Sequence, residues 1–113
     1  MYEYRAKLIR VIDGDTVDAL IDLGFDVWVK KRIRLYGIDA PECRTKDLEE
    51  KALGLKSKER LIEILTNNNG EFILESRGIG KYGRCLGVLL IGTIGEINVN
   101  NMLLHEGYAT KYE

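Results

Sequence analysis

A chain of 113 residues, 45% of them hydrophobic, forms one domain, residues 1–113, around a single core, and no apolar run approaches the roughly 18 residues that a membrane span needs. Its net charge of −1 lacks the basic excess usual in nucleic-acid-binding domains. Two cysteines, Cys43 and Cys85, exclude a disulfide scaffold and are not spaced as a zinc pair, so a reduced pair is expected.

Ala6 to Ile12 reads as a first strand that enters a turn or bulge at Asp13-Gly14-Asp15-Thr16, where glycine supplies unusual backbone angles and the acids tolerate them. Val17 to Leu23 is a second strand. Gly24-Phe25-Asp26 is a hairpin connection to a third, Val27 to Tyr36, with Trp28, Lys30, Arg32 and Arg34 on one face. Pro41 ends this sheet portion, and Cys43 to Glu50 is a polar connection. Leu48, Ala52, Leu55, Ile62 and Leu65 then recur at helical spacing up to the terminator Asn67-Asn68-Asn69-Gly70, with Gly54 expected to delay or bend the helix.

Glu71 to Ser76 alternates as a fourth strand, Gly78 to Gly83 is a glycine-rich loop, and Arg84 opens a fifth strand running to Leu90. After a turn at Gly92 to Gly95 comes a short helix, capped by Asn98 or Asn100 and ended by Gly107. The order predicts a mainly β fold: a five-stranded OB-fold barrel, one long helix between strands 3 and 4, and one short C-terminal helix.

Charge is segregated along the chain. Asp13, Asp15, Asp18, Asp22 and Asp26 precede Lys30, Lys31, Arg32 and Arg34, so a basic face can adjoin an acidic metal pocket. The stretch Arg34-Leu35-Tyr36-Gly37-Ile38-Asp39-Ala40-Pro41-Glu42 places three charges on a segment that is otherwise apolar or turn-forming. Phosphodiester hydrolysis needs a cation, positive donors on the phosphoryl oxygens and a base for water. Asp13, Asp15, Asp39 and the Ala40 carbonyl suit a hard cation such as calcium. Arg34 and Arg84 offer paired donors to phosphate, and Glu42 is left as the base. Each piece alone has an ordinary explanation, since Asp-Gly-Asp is common in turns, a strand arginine is commonly solvated, and Lys81-Tyr82-Gly83-Arg84 can be a plain hairpin.

Taken together, Val11-Ile12-Asp13-Gly14-Asp15-Thr16, Arg34 to Glu42, Lys81-Tyr82-Gly83-Arg84, Asn100 to Leu104 and Glu106-Gly107-Tyr108-Ala109 resemble, in order, the motifs of the staphylococcal nuclease (thermonuclease) family. The resemblance implies an OB-fold and one calcium ion held by Asp15, Asp39 and the Ala40 carbonyl, with Asp13 close behind. It further implies Glu42 as general base, Arg34 and Arg84 on the phosphate, Lys81 and Tyr82 on a neighbouring phosphate, and Tyr112 near the base. The expected activity is sequence-tolerant hydrolysis of DNA and RNA, single strands preferred, to 3′-phosphorylated products by a monomer that needs no membrane.

Departures accompany the match. Gly80 replaces an acid before the Lys-Tyr-Gly-Arg motif, Gly54-Leu55-Lys56-Ser57 replaces a Gly-x-Glu-Ala pattern, and the chain reads as a short form lacking the family's further C-terminal helix. The start shows no signal-peptide pattern, which fits a cytoplasmic protein or a mature exported form. A non-catalytic OB-type module binding single strands or a protein, and a purely structural calcium-binding domain, are the alternatives.

Overall fold

Alternating apolar and polar residues build the meander of strands β1 (Glu3–Asp13), β2 (Thr16–Asp22) and β3 (Trp28–Leu35) in the computed structural model, which describes residues 2–80 and 83–112. Val17, Ala19 and Ile21 of β2 and Ile33 and Leu35 of β3 point inward, each with under 5% of its surface exposed. The β2–β3 hairpin turns through Phe25 and Asp26 at φ 54° and 60°, a left-handed pair that an Asp tolerates better than a Phe.

After β3 come a two-residue strand β4 (Ile38–Asp39), helix α1 (Leu48–Thr66), β5 (Glu71–Ile79) and β6 (Cys85–Ile91). The chain continues through β7 (Ile97–Asn98), helix α2 (Val99–His105) and β8 (Thr110–Lys111). Hydrogen bonding runs β3-β2-β1-β5-β6, and β6 returns in parallel to β3 through Ile33–Leu35 against Cys85–Gly87, closing a five-stranded barrel. This is the expected OB-type barrel, with the long helix between its third and fourth barrel strands. The short β4 pairs with β8, a contact that the sequence pattern did not announce.

Helix α1 starts where Asp47 accepts hydrogen bonds from the amides of Glu49 and Glu50, at 3.0 and 3.3 Å. Glu49 and Glu50 also place negative charge at the positive end of the helix dipole. It ends at Asn69 and Gly70, both at positive φ, with the Gly70 amide donating to the Leu65 carbonyl at 2.8 Å. Gly54 neither delays nor interrupts the helix. It is buried because α1 lies backbone to backbone on the chain at Glu42 and Cys43.

Leu61 and Leu65 from α1 and Val99 and Leu103 from α2 complete the core beneath the barrel. Burying one such side chain contributes about 1.5–3 kcal/mol. The two helices are tied by Arg60, whose guanidinium donates to both carboxylate oxygens of Glu106 at 2.6 and 2.9 Å. Asn98 is the α2 cap, accepting from the Asn101 amide at 3.0 Å.

Asn100 does something else. It is buried, its Oδ1 accepts from the Leu89 amide at 3.1 Å, and its Nδ2 donates to the Tyr36 and Gly87 carbonyls at 2.9 and 3.1 Å. One amide therefore satisfies backbone groups on both sides of the β3–β6 closure.

Candidate active site

Arg34 projects from the end of β3, opposite Thr16 of β2. Its Nη1 donates to the carbonyls of Leu35 at 3.1 Å and Ile38 at 2.8 Å and lies 3.4 Å from Asp15 Oδ2. Nη2 is 3.2 Å from Asp39 Oδ1. The guanidinium carbon stands 5.7 Å from the ring centre of Tyr112, so one cation is held by two carboxylates, two carbonyls and an aromatic face. β8 carries Tyr112 there: the Tyr112 amide donates to the Gly37 carbonyl at 3.0 Å, just past the pairing of β4 with β8.

Asp15 is buried and fixed. Oδ1 accepts from the Thr16 hydroxyl and Oδ2 from the Ala40 amide, both at 2.8 Å. The Asp-Gly-Asp turn is held close to α1, because a Cβ on Gly14 would fall 2.6 Å from the Ser57 Cβ. The small residues at Gly54 and Ser57 thus let the helix approach both acidic segments. Ser57 Oγ also donates to the Tyr108 carbonyl at 2.6 Å, so this serine adds a tie to the chain beyond α2.

Glu42 is positioned by its backbone. Its amide donates to Glu50 Oε2 at 3.1 Å, its carbonyl lies against Gly54, and the next amide, of Cys43, donates to Asp13 Oδ1 at 3.4 Å. The Glu42 side chain itself is exposed and, among the described residues, makes no hydrogen bond or ion pair. Cys43 is buried and free, and burial, reinforced by the nearby Asp13 carboxylate, pushes its thiol up to about 11. Cys85 is free as well.

Arg84 stands half-buried ahead of β6, its carbonyl accepting from the Gly80 amide at 2.7 Å. Among the described residues it has no ion-pair partner. Asp13, Asp15, Arg34, Asp39, Ala40, Glu42, Arg84 and Tyr112 all line one open cavity of about 790 Å³. The residues singled out in the sequence therefore converge, apart from Lys81 and Tyr82, which lie outside the described residues. Two further lining residues were missed: Thr16, which orients Asp15, and the exposed Lys111 on β8. The first was legible in the Asp-Thr dipeptide, whereas the second depends on the β4–β8 pairing.

Among the described residues, no group of three or more His, Cys, Asp or Glu side chains is gathered tightly enough to hold a metal alone. Two carboxylates nevertheless face a single position, since Asp15 Oδ2 and Asp39 Oδ1 flank one guanidinium at 3.4 and 3.2 Å. An all-oxygen donor set with few protein ligands fits a hard divalent cation that retains several waters.

The family profile described as "Staphylococcal nuclease homologue" matches residues 32–113. The chain belongs to the staphylococcal nuclease family. A protein of Shigella flexneri named micrococcal nuclease is 29% identical over 116 residues, covering 97% of this chain and 59% of that protein. Protein ParB of Escherichia coli is 30% identical over 118 residues, covering 97% of this chain and 58% of its own length. An uncharacterized protein of Methanocaldococcus jannaschii is 31% identical, with 96% of this chain and 59% of that protein covered. The chain thus spans somewhat under two-thirds of each of these relatives.

Proposed function

We propose that this chain is a calcium-dependent nuclease that hydrolyses phosphodiester bonds of DNA and RNA with little sequence preference, favouring single strands and leaving 3′-phosphates. The observation that carries this reading is the convergence of Arg34, Glu42, Arg84, Asp15 and Asp39, from separate parts of the chain, on one cavity. The family membership and the relative named micrococcal nuclease support it.

In this reading Asp15, Asp39 and the Ala40 carbonyl hold the ion, with Asp13 behind them. A bound calcium ion neutralises phosphoryl charge and polarises the attacked phosphorus. Arg34 and Arg84 donate to the non-bridging oxygens and stabilise the extra charge on five-coordinate phosphorus. Glu42 accepts a proton from water as the water oxygen bonds to phosphorus. The bond from phosphorus to the 5′-oxygen breaks, that oxygen takes a proton from solvent, and the 3′-phosphate remains on the other fragment. Tyr112 offers a ring to a base, Lys81 and Tyr82 bind a neighbouring phosphate, and Arg34 must trade some of its contacts with Asp15, Asp39 and the carbonyls for phosphate.

A degradation assay on denatured DNA, with calcium and with chelator, tests this. Calcium-dependent cleavage to 3′-phosphate ends is expected. Tight oligonucleotide binding without cleavage at saturating calcium would overturn the nuclease reading in favour of a non-catalytic OB-type binding module, and equal cleavage in chelator would remove the ion from it.

A further inference from the structure

The cavity occupies only one end of an outward face that continues along the whole of β3. In the β2–β3 register, Trp28, Lys30, Arg32 and Arg34 are alternate residues facing Asp22, Leu20, Asp18 and Thr16. Arg34 ends in the cavity, and Trp28 lies about 20 Å away along the strand. On the other side of β2, Lys7 faces Leu20 and Arg10 faces Asp18. The irregularity between Leu8 and Arg10 keeps Arg10 outside while Val11 returns to the core.

The charge on this patch is positive although the chain as a whole carries −1. Lys7, Arg10, Lys30 and Arg32 stand against Asp18, Asp22 and Glu71, the last opposite Lys7 on β5, a net of +1. Asp18 is enclosed, its side chain 3% exposed, with Arg10 and Arg32 clamped on it at 3.0 and 2.8 Å while remaining 60% and 47% exposed. What the solvent meets there is guanidinium. At the far end Trp28 is 39% exposed as a residue, with Lys7 Nζ over its ring, 5.1 Å from the centre. A flat aromatic beside a cation is the arrangement that receives a base and its phosphate.

We propose that this β1–β2–β3 face is an extended track for single-stranded nucleic acid, with Trp28 stacking on a base several nucleotides from the scissile bond and Lys30 and Arg32 meeting the intervening phosphates. The proposal rests on the nuclease reading of the cavity. Its occupant is chosen by charge complementarity with a polyanion, by the exposed ring, and by continuity with the cavity through Arg32 and Arg34. Such a track explains how a chain with net negative charge grips a polyanion: attraction is confined to one face.

Trp28 is the sole tryptophan, so its emission reports the far end of the track directly. The 113-residue chain carrying Glu42→Gln is titrated, with calcium, with a thymidine 12-mer and with a thymidine dinucleotide, and wild-type cleavage of both is measured in parallel. The 12-mer is expected to quench emission and bind about tenfold or more tighter than the dinucleotide, because each stacked base adds roughly that factor. Lys30→Ala should weaken 12-mer binding and lower its salt-dependence slope by about one. Trp28→Ala should lower the ratio of 12-mer to dinucleotide kcat/KM, and Trp28→Phe should restore it. Normal cleavage with unchanged emission and an unchanged salt slope in Lys30→Ala would overturn the track and leave the nuclease reading standing. Quenching by the 12-mer without wild-type cleavage would support the track and overturn the nuclease reading. Neither quenching nor cleavage would overturn both.

Discussion

Gly54 of α1 is packed on the carbonyl of Glu42 so closely that a Cβ on the glycine would lie 2.5 Å from that oxygen and 2.6 Å from its carbon. At Gly54 the helix meets the Glu42 segment backbone to backbone, beside the hydrogen bond from the Glu42 amide to Glu50 Oε2. Any side chain at position 54 must displace the residue proposed as the base.

Replacing an interior helix glycine by alanine ordinarily gains about 1 kcal/mol. Here Gly54→Ala is expected to lower the melting temperature and to reduce kcat by about tenfold to a hundredfold, the range in which small misplacements act. Thermal unfolding and steady-state cleavage of denatured DNA check this together. Raised stability with unchanged turnover would contradict the close contact.

Asp18 supplies a pH signature of the fold. Hydrogen bonding from Arg32, then from Arg10, outweighs the cost of burial and holds its carboxyl at about 2, against an ordinary value of 3.8. Because the folded value is the lower one, the stabilisation is fully present above about pH 4 and is lost as pH falls towards 2. With both arginines partly in water, it amounts to about 1–2 kcal/mol. Denaturant unfolding of wild type and Asp18→Asn should differ by that amount at pH 7 and converge near pH 2. A gap independent of pH would show that Asp18 acts by shape rather than charge.

Much of the fold was legible because period-2 patterning, turn residues and caps agree locally. Phe72 and Leu74 alternate inward as read, and Asn67 to Gly70 stops the helix. Several features needed tertiary contacts that local pattern does not carry. Gly54 looked like a helix breaker, yet its role is to let two backbones meet. Asn100 looked like a possible cap but bridges β3 and β6 across the barrel seam. Lys111 joins the cavity, and Tyr112 meets Arg34, only because residues 110–111 pair with 38–39. The segregated acids and bases were visible, but not that Asp18 is enclosed by two arginines.

The candidate site was legible for a different reason. Arg34, Asp39 and Glu42 share a stretch whose charges no core requires, and their partners Asp15 and Arg84 sit in motifs spaced far along the chain. What sequence left open was the state of Arg34. Two carbonyls and two carboxylates hold it, so phosphate must compete for its donors.

The most direct measurement compares single-turnover cleavage of a single-stranded oligonucleotide by wild type and Glu42→Gln at saturating calcium, with binding measured alongside. Removing a general base costs roughly 10²- to 10⁴-fold. The account predicts a rate loss in that range with oligonucleotide affinity retained. Equal rates in the two proteins would contradict it.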